Sequence, residues 1–197
     1  MSADQDREEV LLPAQAICDP HHHLWDYPDS MYLVDEFLSD VSGGHKLDKT
    51  VYVECRRRWR SDGPEHLKPV GETEFIESLV GAYDNSIDKP AIAAGIVGFA
   101  DLTLGKEVEE VLQAHAEASP RFRGIRYMTA WHESDQLRNA QTNPDRKQLE
   151  DENFLEGFAC LEKMGLSFDA WVYHPQIDEV GRLARSFPEV SVILNHI

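Results

Sequence analysis

The sequence predicts an α/β protein built on a parallel sheet, a (β/α)8 barrel. Three observations carry this. Apolar stretches of strand type alternate with stretches of 3.6-residue periodicity along the whole chain, at a spacing of roughly 30 residues per unit. No glycine-rich phosphate loop follows the first strand, which counts against a nucleotide-binding open sheet. Histidines sit where the first, fifth and sixth strands end, and a barrel places its active site at the C-terminal ends of its strands.

The elements follow in order. Residues 16–23 form the first strand, an apolar lead-in that runs into His21-His22-His23. From Tyr32 to about Gly43, the spacing of Val34, Phe37, Leu38 and Val41 predicts an amphipathic helix that Gly43-Gly44 ends. Thr50–Cys55 is rich in β-branched and aromatic residues and reads as the second strand. Phe75, Ile76, Leu79, Val80 and Tyr83 mark the buried stripe of the second helix. Residues 92–99 are apolar on both faces, as a buried parallel strand requires. Val108, Val111, Leu112 and His115 give the third helix, with His115 a helix-face residue and not a ligand. Residues 123–128 form a short fourth strand, and a polar loop covers 131–150. Loops of that length are functional or mobile. Phe154, Phe158 and Leu161 drive the fourth helix, which ends near Gly165; 166–172 is the fifth strand. Ile177, Val180, Ala184 and Phe187 give the fifth helix, and 190–196 the sixth strand.

Composition excludes several classes of function. The formal net charge of -17 repels phosphate backbones and anionic lipid, so neither nucleic acid nor a membrane is an expected partner. No run approaches the ~18 apolar residues of a membrane span. Residues 1–15 are polar and acidic and read as a flexible tail ahead of a barrel domain over 16–197. Cys18, Cys55 and Cys160 are odd in number and widely spaced, which suits reduced thiols in the cytoplasm. The basic run Arg56-Arg57-Arg58-Trp59-Arg60 could hold an anion or form a solvated loop.

In an extended segment side chains alternate faces, so His21 and His23 point together and His22 points away. Two imidazoles on one side of a strand end make half of a metal site. On the fifth strand Phe168, Ala170, Val172 and His174 share a face, and on the sixth Val190, Val192, Leu194 and His196 do. The four histidines are expected to converge on one barrel mouth.

Five stretches carry a resemblance to a known family: residues 17–26, Gly71-Glu72-Thr73-Glu74-Phe75, residues 122–126, residues 168–176, and Leu194-Asn195-His196. Together they resemble the amidohydrolase-related family of metal-dependent hydrolases, in its lactonase-like branch. The resemblance implies a (β/α)8 barrel with one divalent metal, zinc or manganese, although metal-free members exist. It implies water attack on a lactone or related cyclic ester; decarboxylation on the same barrel, or a non-catalytic remnant, are the alternatives. By position His21, His23 and His196 match metal ligands, and His174 and His196 match catalytic positions. Arg126, Glu54 and Tyr173 are candidates for substrate binding, with Arg126 clamping a carboxylate on a small-molecule substrate and Glu54 ordering the site or a ligand histidine. Glu72 is expected to cap a helix.

The sequence departs from the family pattern after Ile197, where a seventh and an eighth strand, with the eighth strand's aspartate as general base or ligand, would follow. Barrels of this kind run to about 250 residues. The expectation is therefore a barrel truncated after its sixth strand, inactive and poorly soluble alone, with open edges free to pair with a second copy in a homo-oligomer.

Overall fold

The structure is a computed structural model and describes residues 10–83, 89–134 and 136–196. Residues 1–9 of the expected tail lie outside the described residues, and residues 11–15 are exposed.

In chain order the elements are β1 (Ala16–His22), β2 (Trp25–Tyr27), β3 (Ser30–Tyr32), α1 (Val34–Asp40), β4 (Lys46–Val53), α2 (Val70–Gly81), β5 (Ala91–Gly98), α3 (Val108–Ala118), β6 (Phe122–Met128), α4 (Glu152–Met164), β7 (Ser167–Trp171), α5 (Ile177–Ser186) and β8 (Val192–Leu194). Six strands make one sheet in the order β1-β4-β5-β6-β7-β8, every pair parallel. The order never reverses. A doubly wound sheet reverses at its switch point, whereas a barrel adds each strand beside the last. The chain is therefore a curled, six-stranded portion of a (β/α) barrel, with β1 and β8 as its edges.

The helices cover the outer face of the sheet. Val111 and Leu112 of α3, Phe154 and Phe158 of α4, and Leu183 of α5 pack on Ile125, Tyr127, Phe168 and Ala170 of β6 and β7. A second cluster joins Phe37 of α1 and Ile76 and Val80 of α2 to Tyr52, Ile92 and Ile96 of β4 and β5. Fully burying a side chain of this size stabilises by ~1.5–3 kcal/mol, so the outer face holds most of the fold's driving force. Gly157 lets α4 approach a 3-10 turn at 102–107: a Cβ there would lie 2.2 Å from the Leu102 carbonyl oxygen. Gly165 ends α4 in the left-handed conformation, at φ 66°.

Three elements depart from expectation: the strand expected at Thr50–Cys55 begins at Lys46, the strand expected over 190–196 covers Val192–Leu194, and the first helix starts late. The helix expected from Tyr32 begins at Val34, because residues 25–32 form the β2–β3 hairpin. Pro28 and Asp29 supply its turn. Trp25 stacks on Tyr32 at 4.9 Å, and its Nε1 donates to Ser30 Oγ at 3.1 Å. The ring pair holds Tyr32 extended despite the helical spacing that follows it.

Candidate metal centre

The end of β1 is irregular. Asp19 pairs with Thr50 and His22 with Tyr52, so three steps on β1 match two on β4. Such a bulge re-aims the side chains beyond it, and Pro20 sits within it on the edge strand. His21 and His23 come together with their Nε2 atoms 3.1 Å apart. Two nitrogens bound tetrahedrally to one ion at ~2.0–2.1 Å lie about 3.3 Å apart. His22 turns to the outer face, where its Nε2 lies 2.8 Å from Thr50 Oγ1 and its ring 4.6 Å from that of Phe37. His196, just past β8, brings its ring to 4.9 Å from His21 and 4.9 Å from Trp171. Ligand nitrogens of His21, His23 and His196 all lie within 4.8 Å of one another.

The surroundings fix how these rings present themselves. His23 Nδ1 lies 2.7 Å from the Val53 carbonyl oxygen. A carbonyl only accepts, so Nδ1 carries the proton and Nε2 keeps its lone pair. Burial holds His21 down to about 4, with the nearby His23 and Arg126 adding to the shift. Burial also lowers His23 and His196, and Arg126 pushes both in the same direction. All three imidazoles are neutral at pH 7, the state in which nitrogen can bind a metal. Asn195 Nδ2 donates to Asp169 Oδ2 at 2.9 Å and lies 3.2 Å from His21 Nδ1. Burial raises the Asp169 carboxyl from its ordinary value, against the lowering pull of Asn195 and Arg126.

Arg126 and Glu54 form a buried ion pair, with side chains 4% and 0% exposed. Arg126 Nε donates to Glu54 Oε1 at 2.8 Å, and Nη2 donates to the Glu54 carbonyl. Arg126 Nη1 and Glu54 Oε2 are buried without a hydrogen-bond partner among the described residues. The guanidinium lies 5.2 Å from the Trp171 ring centre. Arg126, Trp171, Met128, His23 and His196 line a cleft of about 220 Å³ together with Cys55, Arg56 and Gln141.

The structure therefore gathers His21, His23, His196, Arg126 and Glu54, and it corrects three expectations. Phe168, Ala170 and Val172 face outward into the helix-covered core, so the row that continues to His174 does not face the mouth. His174 opens a 3-10 turn, is exposed and stands outside the histidine cluster. Tyr173 lines an adjoining cavity that shares Met128, Gln141 and Trp171 with the cleft, and donates its hydroxyl to the Arg138 carbonyl in the 131–150 loop. Glu54 acts on Arg126 and not on a ligand histidine. Glu72 does not cap α2, whose N-cap is Pro69: it lies buried in the first turn and accepts from Tyr52 Oη at 2.8 Å, Cys55 N at 2.7 Å and Trp59 Nε1 at 3.2 Å. Asp169, Trp171 and Asn195 were missed. Their signal is the other phase of the alternation in the last two strands, polar or amphipathic residues between the apolar ones.

Residues 18–197 match a family model described as Amidohydrolase. The uncharacterized protein y4mH of Sinorhizobium fredii is 31% identical over 203 residues, which span 92% of this chain and 62% of that protein. An amidohydrolase from Burkholderia multivorans, crystallised with bound zinc, superposes with a TM-score of 0.60 at 20% identity, covering 89% of this chain and 55% of that one. Amidohydrolase 2 from Bifidobacterium longum subsp. infantis superposes with a TM-score of 0.53 at 19% identity, covering 90% of this chain and 59% of that one. At these identities the structural likeness concerns the fold. The chain spans between about half and three-fifths of the length of these relatives.

Proposed function

The chain belongs to the amidohydrolase family, and on that premise we propose that His21, His23 and His196 hold one divalent metal, zinc by their all-nitrogen donor set, in a barrel that hydrolyses a lactone or related cyclic ester. The observation that carries the reading is the 3.1 Å separation of the His21 and His23 Nε2 atoms, with His23 locked by Val53 in its ligating tautomer. Bound there, the ion supplies Lewis-acid polarisation of an ester carbonyl and activation of water at neutral pH.

The chain's own residues do the rest. Asn195 and Asp169 orient His21 from behind. Glu54 anchors Arg126 at the wall of the cleft, so that its positive charge is fixed beside the histidines without the entropy loss of ordering a long side chain. Trp171 and Met128 line the same cleft and limit the water that enters beside the substrate.

The test uses the longer relative from Sinorhizobium fredii, because this chain spans 62% of it. Chelated and zinc-restored protein are offered carboxylated lactones, and acid release is followed by pH-stat. Zinc-dependent acid release that disappears when the histidine aligned with His23 becomes alanine is the expected result. Carbon dioxide release instead would assign lyase chemistry, and acid release without metal would overturn the metal role.

A further inference from the structure

A larger cavity of about 480 Å³ lies beside the histidine cleft, and Arg56 and Gln141 line both. We propose that this cavity receives the non-reacting end of the substrate, and that this end is an apolar group whose carboxylate Arg56 binds. The proposal rests on the reading that the histidine cleft is the reacting centre.

Three aromatic residues, Trp59, Phe99 and Tyr127, line the cavity. Trp59 stacks on Phe99 at 5.5 Å and Phe99 on Tyr127 at 5.7 Å, with interplanar angles of 24° and 20°. Rings packed on one another in this way make a rigid apolar wall that favours an apolar body. The Arg56 guanidinium lies against this wall, 4.8 Å from the Trp59 centre and 5.8 Å from that of Phe99. A stacked guanidinium keeps its N–H edge free, and that edge fits a carboxylate with two parallel bonds.

Arg56 is also an unpaired cation at the cavity wall. Among the described residues it makes no hydrogen bond or ion pair; its contacts are the two rings. The acidic groups nearby are engaged. Asp101 Oδ1 accepts from the Thr103 amide, the Thr103 hydroxyl and the Tyr127 hydroxyl, and Glu65 pairs with Lys68. In a chain of net charge -17, a half-buried cation at the junction of two cavities is a local reversal of the field.

The position of Arg56 is built. Its backbone is left-handed, at φ 62°, a conformation that a branched or long side chain adopts only when its surroundings enforce it. Buried Glu72 enforces it by accepting from the amides on either side, Cys55 and Arg57, and from the Trp59 indole. One carboxylate thereby sets both the arginine and the ring it lies on.

The experiment compares cinnamate with cinnamamide, the same flat frame with and without charge, by calorimetry on the whole chain. Charge-assisted bonds predict that cinnamate binds roughly ten-fold to a hundred-fold more tightly. In Arg56→Gln the two should bind equally, while His23→Ala should keep the preference, which separates this site from the metal reading. In the unmodified chain, cinnamate should shift the Trp59 indole N–H resonance. Equal binding of the two probes, a preference that survives Arg56→Gln, a preference present only with zinc, or an unmoved Trp59 signal would each overturn the assignment.

Discussion

Arg126 shows how a residue's surroundings decide its role. In the sequence it is an arginine at a strand end, equally suited to clamping a substrate or to a salt bridge. The structure spends two of its nitrogens on Glu54 in an interior that excludes water. Breaking such a pair from one side leaves an uncompensated buried charge, at a cost of about 3–5 kcal/mol. Arg126→Met is therefore expected to lower unfolding stability by that amount, and Arg126→Met combined with Glu54→Gln to recover much of it. Urea melts of the three proteins read this directly. A single variant as stable as the parent would mean that the pair is solvated. At this scale the histidine pair on β1 was legible, because alternation alone puts His21 and His23 on one side. Asp169 and Asn195 were not, because the fifth and sixth strands were read along their apolar rows, and those rows face the helices.

Helices and strands were legible where burial is one-sided. The α4 stripe of Phe154, Phe158 and Leu161 faces the sheet, and Gly165 stops the helix as expected. The β2–β3 hairpin was not legible, since it is held by a ring stack across a turn and not by a hydrophobic period. His115 on α3 was read as a helix-face residue, and the structure satisfies both of its nitrogens. Nε2 donates to the Phe99 carbonyl at 2.9 Å, and Nδ1 accepts from Thr73 Oγ1 at 2.8 Å. Burial holds this ring down to about 4. A histidine lowered in the folded state binds its proton first in the unfolded chain. Its stabilising neutral form is fully present above the unfolded value of ~6.5, and the contribution is lost as pH falls from there towards 4. Over that window the loss should reach roughly 3 kcal/mol. Thermal melts from pH 7 to 4 should therefore fall less steeply in His115→Gln than in the parent. Parallel pH profiles would contradict the account of this helix.

At the scale of the whole molecule, strand order separates the barrel from the open sheet. The sequence supplied alternation and the histidine ends, but order is a long-range property that no local pattern states. The sheet leaves β1 and β8 as edges, and Ile17, Ile193 and Leu194 stand exposed there at 37%, 42% and 44%. Among the described residues, no helix is long and apolar enough to cross a membrane. Edges of this kind are templates for pairing with another chain. Sedimentation of the 197-residue chain should show concentration-dependent self-association that Ile193→Lys weakens; a strict monomer at all concentrations would show that the edges are protected.

The central claim is that three histidines from the two edge strands make one metal site. Calorimetric titration of the purified chain with zinc tests it most directly. One ion should bind per chain at pH 7, His23→Ala should abolish binding, and His174→Ala should leave it intact. Binding that is absent, or that survives the loss of His23, would contradict the account.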